Sequence, residues 1–225
     1  MHDEQSSTGP RSPRREFLGQ LGLIAITATV LPTVARAESS AAPDWDMSWV
    51  ERVSAAPYKA VIDTTKVQDE ELLVALDIMD TFRDVYSAPE QTRVVVVFRH
   101  FAAAMGLNDA MWQKYPIGEE RNVTDPDTKA PAKRNPYLRA GTNAKESWAV
   151  NSRIEPLVAR GVTFLVCNRA TMGLASTLAK KVNKPVEEVQ NDLRANVVPG
   201  AILMPNGIFA LIRAQNAGCA FFRQT

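Results

Sequence analysis

The chain has 225 residues, with 26 basic and 25 acidic side chains and a formal charge of +1. That balance leaves no dominant basic face to follow a phosphate backbone, so no nucleic-acid partner is expected. Two cysteines are too few for a disulfide scaffold, and beyond the first 37 residues His100 is the single histidine, which excludes a multi-histidine zinc site; no metal or cofactor is implied.

The first segment reads as an address. Ser12-Pro13-Arg14-Arg15-Glu16-Phe17-Leu18 leads into a mildly apolar run to Val34, followed by Ala35-Arg36-Ala37. Paired arginines, an aromatic residue and leucine, an apolar stretch and a small-x-small site form the layout of a twin-arginine export signal. A signal peptide is therefore expected over residues 1–37, with cleavage after Ala37 and a periplasmic product. The alternative is retention as an anchor, but Gly19, Gln20, Gly22, Thr27, Thr29 and Pro32 make the run thin for a spanning helix. Membrane contact is thus expected only through the signal, during export. Its removal takes away four basic and three acidic residues, leaving 22 of each. The remainder, about 190 residues, suits one domain. Residues 38–57 read as a Ser/Ala/Pro linker whose Trp45 and Trp49 pack on the body or on a neighbouring subunit. The domain proper runs over residues 58–225.

Strands and helices then alternate. Tyr58–Asp63 reads as a first strand. Asp69 to Val85 is helical, with Leu72, Leu73, Leu76, Met79 and Phe82 near one face and acids in the first turn. Arg93–His100, centred on four consecutive valines, fits a strand buried on both faces. Residues 105–141 break the rhythm as a long insertion. A short helix carrying Trp112 is expected there, followed by an Asp/Asn/Pro-rich surface excursion. Ser147–Arg160 is helical and stopped by Gly161. Val162–Cys167 is a strand, Thr171–Val182 a helix, and Pro185 opens another. Ala201–Met204 is a strand, Gly207–Ala217 a helix, and Cys219–Phe222 a last strand. The pattern predicts a three-layer α/β/α sandwich around a mostly parallel five-stranded sheet.

In such a sheet, ligands bind beyond the carboxyl ends of the strands. Asp63, Arg99-His100, Cys167-Asn168 and Pro205-Asn206 all fall at those ends. Each has a plain alternative: Asp63 as a turn cap, His100 as a half-buried histidine, Cys167 as a small core residue. Cys167 has the strongest case for reactivity. It precedes a helix, whose amides and dipole favour a thiolate, and Arg169 adds positive charge. A pocket lined by Asp63, His100, Cys167, Asn168 and Asn206 is expected, with residues 105–141 as its lid and Trp112 in its wall. Cys219 begins a strand, so it lies at the opposite end of the sheet, too far from Cys167 to bridge.

Three stretches resemble the DsrE/DsrF-like family: Gly161–Asn168, Val197–Ile202, and the closing Ala214-Gln215-Asn216-Ala217-Gly218-Cys219-Ala220-Phe221. In that family a Gly-Val-x-Phe-x-Val-Cys strand, a Val-x-Pro-Gly turn and a terminal Ala-Gln-x-x-Gly segment recur. The likeness extends from Tyr58 to the C-terminus, with clear motifs only beyond Arg160. It implies the same α/β/α fold, assembly as a homo-oligomer (trimer or hexamer), and a sulfurtransferase-like or sulfur-carrier role. Cys167 would bear the sulfur, His100 and Arg169 would support it, and a small sulfur-containing or other small molecule would be the ligand. The export signal and the 105–141 insertion depart from the cytoplasmic sulfur-relay members, and the export address excludes tRNA thiolation. The alternative is a non-catalytic periplasmic protein for small-molecule binding or assembly.

Replacing Arg14 and Arg15 together with lysine is expected to hold the precursor in the cytoplasm. Cell fractionation checks this, and normal export of that variant overturns the address.

Overall fold

A computed structural model describes residues 44–87 and 89–223. The signal segment and residues 38–43 of the expected linker lie outside them. In chain order the elements are α1 (Ser48–Ser54), β1 (Tyr58–Thr64), α2 (Glu70–Tyr86), β2 (Thr92–Phe98), α3 (Asp109–Lys114), α4 (Ile117–Arg121), α5 (Ser147–Asn151), α6 (Ile154–Ala159), β3 (Thr163–Cys167), α7 (Asn168–Val182), α8 (Val186–Ala195), β4 (Ala201–Met204), α9 (Gly207–Asn216) and β5 (Ala220–Phe222). Short 3-10 turns occupy Pro89–Gln91 and His100–Gly106.

The five strands form one sheet in the order β4-β3-β2-β1-β5, with every pairing parallel. Alternation along each strand sorts the side chains onto two faces. Ile62, Val94, Val96, Phe98, Phe164 and Val166 pack under α2 and α6. Val61, Val95, Val97, Leu165 and Met204 pack under α1 and α9. The architecture is the expected α/β/α sandwich. Successive strands β1 to β4 step in one direction across the sheet, and α9 carries the chain back to β5 beside β1.

Several local expectations change. Part of the expected linker is helix α1, because Trp49 and Val53 are fully buried against the α9 side of the sheet. The helix expected over residues 147–160 is divided into α5 and α6. Pro156 has no N–H to bond the Ser152 carbonyl, and its ring crowds that carbonyl, so one continuous helix is blocked. Helix α7 begins at Asn168 rather than Thr171, immediately after β3. The chain leaves β2 through the 3-10 turn, which packs against β3 so closely that a Cβ at Gly106 would stand 2.4 Å from a Val166 methyl.

The 105–141 excursion has a core of its own. Met111, Trp112, Tyr115 and Ile117 pack with Leu174, Leu178, Val189 and Leu193 of α7 and α8. Its return is tied to its start by Asn135, which is buried. The Asn135 amide donates to the carbonyls of Met105 and Leu107, each at 2.8 Å, and its oxygen accepts the Tyr137 N–H at 3.0 Å. Nearby, Asp125 accepts N–H bonds from Asp127 and Thr128 and pairs with Arg134 at 2.7 Å. Burial would raise the Asp125 carboxyl, but these bonds outweigh it and hold it below the ordinary carboxylate value.

Tyr137 closes the excursion onto the body by donating its hydroxyl to the Val67 carbonyl at 3.2 Å. Burial pushes its phenol up to about 12, with Asp69 adding to the shift and Arg153 opposing it. An unfolded tyrosine titrates near pH 10 (about 10). The neutral phenol's contribution is therefore complete below about pH 10 and is lost as pH rises toward 12. Tyr137→Phe is expected to cost about 1 kcal/mol at neutral pH. In urea titrations, the gap between wild type and variant should close over that alkaline range. A gap independent of pH would count against this account.

Candidate functional site at the carboxyl edge of the sheet

Three side chains at the carboxyl ends of neighbouring strands share the α9 face of the sheet. Val61 and Asp63 alternate onto it from β1, Val97 and Arg99 from β2, and Leu165 and Cys167 from β3. Asp63 is 2% exposed and accepts a bidentate pair of hydrogen bonds from Arg99, Nε to Oδ1 at 2.5 Å and Nη2 to Oδ2 at 2.6 Å. Fork-to-fork geometry is the strongest form of this contact. Those hydrogen bonds raise the Arg99 guanidinium above its ordinary value despite burial, and the charges of Asp63 and Cys167 reinforce the shift. Arg223 lies further off, with its Nε 3.8 Å from Asp63.

Gly207, the first residue of α9, makes room for this pair. A Cβ there would stand 2.6 Å from the Arg99 Cβ and 3.1 Å from its Cδ. Asn206 caps the same helix by accepting the Phe209 N–H at 2.8 Å. Cys167 is the cap of α7: its Sγ accepts the Ala170 N–H at 3.4 Å, and its carbonyl accepts the Thr171 hydroxyl at 3.0 Å. At His100 the backbone takes a left-handed conformation, φ +50°, which turns the chain sharply out of β2. For a residue with a Cβ that conformation costs about 1 kcal/mol. It leaves the imidazole exposed at the strand end.

Together these groups line a cleft of about 530 Å³, walled by Arg99, His100, Cys167, Arg169, Ala170, Asn206, Gly207 and Ile208. His100, Cys167, Arg169 and Asn206 thus come together where the strand ends predict. The other expected residues stand elsewhere. Asp63 is beneath the cleft, covered by Arg99. Asn168 faces away toward α8, accepting a hydrogen bond from Arg194 Nε at 3.0 Å. Trp112 is buried in the excursion and donates its indole N–H to the Ala104 carbonyl at 3.1 Å.

The expected lid is absent from the cleft, since no residue of 105–141 borders it. Its apolar side chains are taken up by α7 and α8 instead. Trp112 borders a separate depression of about 580 Å³ with Tyr115, Lys133 and Val182.

The cysteines are both free. Cys219 precedes β5, level with Lys59 at the amino end of β1, whereas Cys167 closes β3. Six residues along the strands and three strand spacings across the sheet put them roughly 25 Å apart, well beyond bridging distance. Burial pushes the Cys219 thiol up to about 11, with Lys59 opposing.

The sequence placed Arg99 at the end of β2 but gave it no part in the pocket. The missing signal was parity: Asp63, Arg99 and Cys167 each follow an apolar residue two positions earlier on the same face.

Fold and cleft define an α/β protein with a cleft-lining cysteine at the carboxyl edge of a parallel sheet, flanked by three basic residues. No family model matches the chain, and no curated protein matches it in sequence. Among solved structures it is similar to a protein of unknown function from Methanobacterium thermoautotrophicum, at 16% identity and a TM-score of 0.33, covering 74% of this chain and 99% of that one.

Asp63→Asn leaves the Arg99 guanidinium half-buried without its counter-charge and is expected to cost roughly 3 kcal/mol. Gly207→Ala pushes Arg99 aside and is expected to cost about 1–3 kcal/mol. Because both act through Arg99, the double variant should cost less than the sum of the two in urea denaturation. Simple additivity would show that Gly207 does not position Arg99.

Proposed function

We propose that this chain is an exported, DsrE-like sulfur carrier, sulfurtransferase-like in its chemistry, that works in the periplasm as a homo-oligomer (a trimer or hexamer). The observation that carries the reading is the cleft itself, where a cysteine nucleophile shares a wall with Arg99, His100 and Arg169. In the proposed step the Cys167 thiolate attacks the outer sulfur of a sulfane donor. A new S–S bond forms at Cys167, the donor's S–S bond breaks, and the leaving group departs with the electron pair. Cys167 is left as a persulfide. With Cys219 roughly 25 Å away, no second thiol of the chain stands by to resolve it, so the sulfur passes to an acceptor. The export motif at residues 12–37 supports the location, and the family resemblance supports the oligomer.

A second reading, as a binding or assembly protein without sulfur transfer, draws on the exposed apolar side chains Ile208 and Ile212 of α9 and Phe221 and Phe222 of β5. It is supported also by the low exposure of Cys167, 6%.

Incubation with a sulfane donor followed by intact-mass measurement separates the two. One added sulfur atom is expected on the wild type and none on Cys167→Ser. If both proteins keep their original mass while native Cys167 also resists alkylation, the assembly reading replaces the carrier.

A further inference from the structure

We infer that the Cys167 cleft is built for a sulfane sulfur bonded to a sulfonate group, the –S–SO₃⁻ unit, with the oxyanion end held by the protein. The reaction assigned to this ligand rests on the sulfur-carrier reading, whereas its binding does not. Arg99, His100 and Arg169 line the cleft, and no carboxylate does. The nearby acid, Asp63, is 2% exposed and consumed by Arg99. Arg169 and His100 make no ion pair or side-chain hydrogen bond among the described residues, so Arg169 leaves a guanidinium charge for a ligand to answer.

Two helices of 15 and 10 residues, α7 and α9, also begin at this cleft. The first-turn N–H groups of Ala170 and Phe209 are taken by Cys167 and Asn206. Those of Arg169, Gly207 and Ile208 have no acceptor within their helices, and they add partial positive charge to the side-chain cations.

A plain oxyanion would use only half of this wall. Cys167, Ala170 and Ile208 contribute an apolar, sulfur-bearing side. A thiosulfonate has the matching asymmetry, with a soft outer sulfur at one end and three charged oxygens at the other. With the oxygens on Arg169 and the helix amides, the outer sulfur faces Cys167. Attack by the thiolate forms the Cys167 persulfide and breaks the donor's S–S bond. Sulfite leaves with the electron pair and its charge is held by the same cations, so no external oxidant or reductant is needed.

The test uses purified protein and inorganic thiosulfate. Calorimetric titration of Cys167→Ser is expected to show saturable binding that sulfate competes away. Adding Arg169→Gln should weaken it about tenfold or more, while Lys180→Gln, elsewhere on α7, should leave it unchanged. No saturable binding, or binding indifferent to Arg169→Gln, overturns the inference. Wild-type mass spectra separate this failure from failure of the carrier reading. Thiosulfate binding without sulfur addition from any donor upholds the anion cleft and refutes the carrier. Sulfur addition from an organic hydropersulfide, R–S–SH, whose outer sulfur passes to Cys167 as the thiolate RS⁻ leaves, with no thiosulfate binding, upholds the carrier and overturns the oxyanion donor.

Discussion

Val94 to Phe98 on β2 have no solvent-exposed surface, because parallel neighbours lie on both sides and helices cover both faces. A charge placed in that stretch would lose its hydration with nothing in return. Ionisable groups are therefore pushed to the strand ends. At the carboxyl ends Asp63 and Arg99 meet this constraint by pairing with each other. Such a pair adds little net stability over a well-packed apolar one. Its effect is positional: a guanidinium is fixed in the wall of the cleft, and the absence of a side chain at Gly207 lets α9 close over it.

Helix α7 receives support from two sides. Its first turn is joined to β3 through Cys167, whose sulfur and carbonyl both accept bonds from that turn. Further along, Leu174 and Leu178 pack against Met111, Trp112, Tyr115 and Ile117 of the excursion. The excursion therefore serves the site at a distance. It braces the helix whose N-terminus holds the sulfur, and it does not cover the sulfur. The two cysteines differ for the same positional reason. Cys219 lies where burial dominates and its thiol is pushed upward, while Cys167 lies where a helix starts and a cleft opens.

Much of the fold was legible along the chain. The valines of β2, the apolar runs Phe164–Val166 and Ala201–Met204, and the helical spacing of Leu72, Leu76 and Met79 each carry their own period. A residue that ends a strand and begins a helix, as Cys167 does, is marked by two local patterns meeting. Asn206, just before the helix from Gly207, was legible for the same reason, and His100 because it closes the valine strand. The role of Arg99 was not, because a charged residue at a strand end reads as solvated until the register brings an acid beside it. Asn135 looked like one more polar loop residue, since its three hydrogen-bond partners are set by how the excursion folds back.

The sequence alone therefore determined the α/β class, the strand and helix segments, and the edge of the sheet where Cys167 and His100 stand. These follow from short-range periodicity and from the chain direction common to parallel strands. Only the tertiary structure decided that Arg99 covers Asp63, that Asn168 turns to Arg194, and that Trp112 joins α7 and α8 rather than the cleft. Those outcomes depend on which elements lie side by side, and neighbours in space at sequence separations of 26 or 36 residues leave no trace in local pattern.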